Sequence, residues 1–337
     1  MGSMMAKVAY ADIMSDTIKV VKEKAKICFL GFLLNADQSL DGLSLNGFRI
    51  KKMDTEGLIQ FLSDLDMKER GEIINDYWHN RDVIDPREEF TMVISNQTEF
   101  EYEVHIGNNR IHHELPHDLF GSIHDSADEA VNSIKLFKDG DIILKESIFY
   151  FKGKHSGNSV MRVIEPRKIY PGMLAYSLST IERKQLNKLL KHLAGCKDDS
   201  IRLAISLFQM SYEMPYRGDF NMAFLSLMIG LESLLTGEGN GELRYRLSRS
   251  VAVLLGETKK ESYEIMKQVK KYYDIRSTIV HSGKPGYASK DDLAGLRQVV
   301  RRVITAMLVT GESRDHVLIR ITENGFGVAP LRFDSME

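Results

Sequence analysis

The chain has 337 residues, 43% of them apolar and 27% charged, with 25 Gly and 7 Pro, a globular composition that excludes a disordered or fibrous protein. No apolar run approaches the roughly 18 residues of a membrane-spanning helix; no signal peptide is evident, and two distant cysteines, Cys28 and Cys196, argue against a disulfide framework or a thiolate metal site. The net charge of −2 divides unevenly, 21 Lys+Arg against 28 Asp+Glu over residues 1–172 (−7) and 24 against 19 over 173–337 (+5), which suggests two domains, the second better suited to a polyanion.

In chain order, the first half mixes helices and strands. A helix is expected over 10–24. Asn46-Gly47 between the short alternating runs Leu43–Leu45 and Phe48–Ile50 predicts a hairpin. A second helix is expected over 55–80. Alternation then predicts strands at Phe90–Ile94 and Phe100–Ile106. His113-Glu114-Leu115-Pro116-His117 matches H-E-x-x-H, but that chemistry needs both histidines on one helical face, and Pro116 breaks the helix. A surface loop is the better expectation, with His112, His124 and Asp125 leaving an adventitious metal site open. A third helix at 126–137 and strands at 142–144, 147–151 and 160–164, with a loop at 153–157, complete the region. It reads as an α+β domain over 1–172 without a catalytic pattern.

After Pro171 the period changes from two to 3.6. Helices are expected near 179–194, 199–214, 218–236, 241–256, 258–282 and 288–311, giving an all-α bundle over 173–322. Strand reappears only near residue 317, and 323–337 reads as a tail. Gly237-Glu-Gly-Asn-Gly241 follows a helix and opens no βα unit, so it is a connector and not a phosphate loop.

Within the bundle one pattern invites chemistry. Arg, four to six residues, then His occurs at Arg110–His117 and Arg276–His281, though chance supplies about two such matches in a chain of this composition. Context separates them. Helix 258–282 has an apolar stripe at Ile265 or Met266, Val269, Tyr272 or Tyr273, and Ile279 or Val280, and the missing member is Arg276. A guanidinium on an apolar face needs a partner. Glu232, set in the otherwise apolar Leu227–Leu235, is the natural one. His281 closes the same helix before Gly283 and Pro285, with Ser277 one turn back and Asp274 two. On local physics the pair reads either as a functional site or as a core ion pair beside a helix cap.

Ile201-Arg-Leu-Ala-Ile-Ser-Leu-Phe208, Phe224-Leu-Ser-Leu-Met-Ile-Gly-Leu-Glu232-Ser-Leu-Leu235 and Tyr273-Asp-Ile-Arg276-Ser-Thr-Ile-Val-His281-Ser-Gly283, in this order and spacing, resemble the HEPN superfamily. The likeness is to the Apea-like HEPN domains of bacterial anti-phage proteins, over about 175–320. It implies a cytoplasmic, cofactor-free and metal-independent endoribonuclease that works as a homodimer through the bundle, Arg276 and His281 taking the signature positions. Many members carry Asn, Asp or His where this chain has Ser277. The 2′-OH of RNA would attack the adjacent phosphate, imidazole groups would move the protons, and Arg276 would stabilise the charge on the phosphorane. Ser277, Asp274 and Glu232 would support the pair. Lys270, Lys271, Lys284 and Arg249 would follow the RNA backbone, with Arg244, Arg246, Arg301 and Arg302 as further cations and Tyr273 available for stacking. Residues 1–172 would sense a phage or nucleic-acid trigger. The alternative from the same likeness is a non-catalytic dimerisation or RNA-binding scaffold.

Overall fold

The computed structural model describes residues 19–63, 70–71, 74–75, 91–107, 111–116, 118–154, 157–164, 175–237, 242–282 and 288–325. The chain forms two compact units, residues 1–130 with 142–166, and residues 131–141 with 167–337.

The first unit is built on a seven-stranded antiparallel sheet. Its strands are β1 (Lys19–Leu34), β2 (Ser44–Leu45), β3 (Phe48–Met53), β4 (Thr91–Ile106), β5 (Ile111–Glu114), β6 (Ile143–Gly153) and β7 (Gly157–Ile164). The order is β2-β3-β4-β1-β6-β7, and β5 pairs with the far end of β4. The β2–β3 hairpin turns at Asn46 (φ 47°) and Gly47 (φ 86°), the two left-handed residues a type I′ turn requires.

β1 overturns the helix expected at 10–24 where residues are described. Lys22, Lys24 and Lys26 are exposed while Glu23, Ala25 and Ile27 are buried, a period of two that no helix satisfies. From Ile27 onward every residue of β1 is buried, because both faces are covered. On one face Cys28, Leu30, Phe32, Ile148 and Tyr150 cluster with Leu58 and Leu62, and the Tyr150 hydroxyl donates to the Phe61 carbonyl at 2.9 Å from helix α1 (Thr55–Phe61). On the other, Phe29 stacks on Phe149, which meets Phe120 of helix α2 (Leu119–Ser133). Gly31 lies between, where a Cβ would come within 2.5 Å of Leu144 and 2.9 Å of Ile94.

Three other expectations change in this unit. The two runs at 90–94 and 100–106 are one strand, β4, since β1 pairs with it continuously from Lys19↔Ile106 to Leu33↔Met92. Of the helix expected over 55–80, α1 ends at Phe61, Arg70–Gly71 and Ile74–Asn75 are helical again, and the other residues of 64–80 lie outside the described ones. The stretch Ile111–Glu114, expected as a loop, is strand β5. His117 lies outside the described residues.

The second unit is helical: α3 (Thr180–Gly195), α4 (Asp199–Glu213), α5 (Phe220–Leu235), α6 (Leu243–Leu255), α7 (Lys259–Ser282), α8 (Lys290–Thr310) and α9 (Arg314–Gly325). The starts are written locally. Ser179 and Glu182 form a capping box on α3, and Asp198, Asp219 and Ser289 cap α4, α5 and α8, satisfying amide donors that have no partner within the helix. α5 is apolar nearly all round and occupies the centre, with Phe224, Leu227, Leu231 and Leu234 fully buried. The strand expected near 317 is instead α9, whose Val317 and Ile321, one turn apart, are both buried.

Residues 131–141 belong to this unit. Leu136 is buried in its core, and Arg301 of α8 holds the segment: its Nε donates to the Lys135 carbonyl at 2.8 Å, and its Nη2 donates to Asp139 Oδ1 and to the Tyr212 hydroxyl, both at 2.7 Å. The Tyr212 hydroxyl in turn donates to Asp139 at 2.9 Å. Arg301, expected among the further cations along an RNA backbone, is a buried structural residue. No helix among the described residues is long and apolar enough to cross a membrane.

Candidate functional site

α7 presents two unlike faces. Its buried stripe is Ile265, Val269, Tyr272 and Ile279, and Arg276 fills the gap in that series. Glu232 meets it from α5: Arg276 Nε lies 3.1 Å from Glu232 Oε1 and Nη2 donates to Oε2 at 3.4 Å. The shorter contact is too bent to be a hydrogen bond, so the buried Nε and Oε1 are held by charge alone. The longer one is near the limit of a hydrogen bond. Tyr273, half-buried, lies beneath the guanidinium, its ring centre 5.6 Å from Cζ. With 26% of its side chain exposed, Arg276 is anchored on one edge and accessible on another.

The opposite face carries Tyr263, Lys267, Lys270, Asp274, Ser277 and His281. Steps of four and three keep these six in one line about 27 Å long. Tyr263 is 60% exposed, and the Lys267 ammonium lies 5.0 Å from its ring centre. α6 adds Tyr245, 46% exposed, beneath the Lys270 ammonium, and Arg244, paired with Asp274 at 2.6 Å. Asp274 is therefore committed to Arg244. Ser277 is half-buried and His281 exposed, one turn apart on the line. His281 makes no hydrogen bond or ion pair with any described residue.

Arg276 and His281 are five residues apart, so their side chains leave α7 about 140° apart around the axis. Among the described residues the site presents one imidazole and, to its side, a guanidinium whose remaining donors no described residue takes. Such groups can move one proton and bind one phosphate oxygen pair.

The remaining expected residues separate by position. Lys271 pairs with Asp292 of α8 at 2.6 Å, a hydrogen bond that raises the lysine above its ordinary range. The Arg249 guanidinium packs against Gly325 at the end of α9. Arg246 donates to the Gly237 carbonyl and Arg302 to the Leu255 carbonyl. Lys284 lies outside the described residues. Tyr245 and Tyr263 were not expected to matter; the signal was an aromatic residue one helical turn before Lys267, and one on the neighbouring helix.

Comparison with protein-family models, with curated proteins and with solved structures finds no match to this chain.

Proposed function

We propose that the helical unit is a metal-independent endoribonuclease of the HEPN type, active as a homodimer and serving in defence against phage, with residues 1–172 sensing the trigger. The supporting observation is the line on α7: Tyr263 and two ammonium groups, with Tyr245 of α6 beside them, lead along one face to an exposed histidine whose imidazole bonds to no described residue. Tyr263 and Tyr245 would stack on bases, which tolerates any sequence, while Lys267 and Lys270 follow the backbone. At the end of that track His281 would take the proton from the 2′-OH, and a second copy of His281 would protonate the departing 5′-oxygen. Arg276 would lend its unused donors to the phosphorane. Its loose attachment to Glu232 suits an arginine that must leave part of its fork available.

The test uses the full-length protein with total RNA in EDTA. Cleavage yielding 2′,3′-cyclic phosphate ends is expected, with at least a fiftyfold loss in His281→Ala and in Arg276→Ala, equivalent to about 2 kcal/mol of transition-state stabilisation. A 2′-deoxy substitution at the cleaved position should block the reaction. Cleavage that persists in His281→Ala refutes the assignment. RNA binding without cleavage in the unaltered protein would make it a scaffold.

A further inference from the structure

A second cluster lies in the sheet unit, where β4 and β5 pair. Glu103 stands directly opposite Glu114 and His105 directly opposite His112. Residues two apart on a strand share a face, so these four side chains form a square on one face of the ladder. Nε2 of His105 lies between the carboxylates, 3.2 Å from Glu114 Oε2 and 4.0 Å from Glu103 Oε2. The His112 ring is edge-on to that of His105, centroids 6.1 Å apart.

Charge makes this arrangement costly as it stands. Like charges directly opposite each other destabilise a strand pair, and one imidazole proton cannot bond both glutamates. Lys22 of β1 lies 3.8 Å from Glu101 and 3.9 Å from Glu103. These distances are too long for hydrogen bonds, and at 67% side-chain exposure Lys22 screens the carboxylates from the edge without entering between them.

We propose that Glu103, His105, His112 and Glu114 form a binding site for a divalent first-row transition-metal ion, of which zinc is the representative. The donor atoms of Glu103, His105 and Glu114 already lie within 4.8 Å of one another. A tetrahedral zinc with bonds of about 2.0–2.1 Å holds its donors about 3.3 Å apart, close to the His105–Glu114 spacing; Glu103 would draw in from 4.0 Å, and His112, opposite His105 on the ladder, would turn its ring inward as the fourth donor. Two imidazoles and two carboxylates select this class: calcium and magnesium take oxygen donors, and no thiolate is present to favour copper(I). The glutamate of the H-E-x-x-H stretch thus acquires a role on a strand that a helix would have denied it. The site is separate from α7, and RNA cleavage there needs no ion from it.

Metal-stripped full-length protein is titrated with Zn²⁺ by calorimetry and with Co²⁺ by visible absorption. One ion per chain with micromolar or tighter affinity is expected, and the cobalt bands of a four-coordinate site. Loss of a mere orienting group weakens metal sites about 10–100-fold, so His105→Ala and His112→Ala, which remove direct ligands, should weaken binding at least about tenfold. Lys22→Ala should leave it equal or tighter, and His316→Ala, an exposed residue of α9, should leave it unchanged. Should a histidine variant fail to fold, Glu114→Gln on an exposed side chain decides the matter in the same way. Binding seen only at millimolar metal, or binding equal in all variants, would show an adventitious ion only and overturn the proposal.

Discussion

Two arginines of the helical unit hold acidic partners in different ways. Arg301 is almost wholly enclosed and makes three hydrogen bonds of 2.7–2.8 Å to Lys135, Asp139 and Tyr212. Arg276 faces one carboxylate through a bent 3.1 Å contact and a 3.4 Å bond. Arg276 sits alone in an apolar stripe, whereas Arg301 has Arg297 and Thr305 one turn to either side, bonded to Ser211 and to the Leu136 carbonyl. An arginine whose task is cohesion turns short, well-formed bonds inward, as Arg301 does with three of its five donors, because each unmade bond to a buried charge is expensive. Arg276 keeps donors that no described residue takes, which is what the proposed role asks of it.

Arg301→Ala should have the largest effect on folding. Truncation strands the Lys135 carbonyl and leaves Asp139 with the Tyr212 hydroxyl but without its hydrogen-bonded guanidinium, a loss of about 3 kcal/mol, or roughly 6–12 °C in Tm for a unit of this size. Arg301→Lys should recover little, since one ammonium cannot span three acceptors. A Tm within 2 °C of the unaltered protein, a negligible shift on that scale, would erase the contrast between the two arginines.

Acid sharpens the same contrast. Burial pushes the Asp139 carboxyl up, but the Arg301 charge and the hydrogen bonds from Tyr212 and Arg301 outweigh it and hold the group below its ordinary value. A depressed carboxylate stabilises the fold above its unfolded pKa of about 3.9, and that contribution fades as pH falls through the lower folded value. Arg301→Ala should flatten this acid limb of a Tm-against-pH curve, whereas Glu232→Ala should leave it in place.

Glu232→Ala should cost less than loss of Arg301, about 1–3 kcal/mol, because it breaks one long bond and one bent ion pair at a partly exposed site. Equal losses for the two variants would mean that Arg276 is as fully used in cohesion as Arg301. The smallest effect belongs to His281→Ala, an exposed position where unfolding free energy should move by no more than about 0.5 kcal/mol. Chemical denaturation of all three variants in parallel checks the ranking.

The bundle was open to sequence reading where period and caps agree. All six expected helices are present with ends within two residues, since Ser179, Asp198, Asp219 and Ser289 mark starts that the apolar stripes then continue. The Glu232–Arg276 pair was legible for a similar reason: Glu232 is the lone charge in a nearly apolar run, and Arg276 interrupts an apolar helical stripe. α9 was missed because Val317, Ile319 and Ile321 alternate like a strand, although Ile319 is 54% exposed. The Arg301 network was invisible, its partner Asp139 being 162 residues away in sequence. So was the square on β4 and β5, since only the strand register brings Glu103 opposite Glu114.

The excursion of residues 131–141 has a consequence for synthesis and for dissection. The chain enters the helical unit at 131, returns to the sheet at 142 and leaves it finally near 167. No single cut therefore separates the units. A fragment beginning at 173 would lack Leu136 from its core and would leave Arg301 facing an unfilled groove. On the ribosome, the eleven residues would emerge well before the helix that binds them. They must wait until α8 is made, so that the helical unit is not sealed before that helix exists, although the sheet unit is complete in sequence by residue 166.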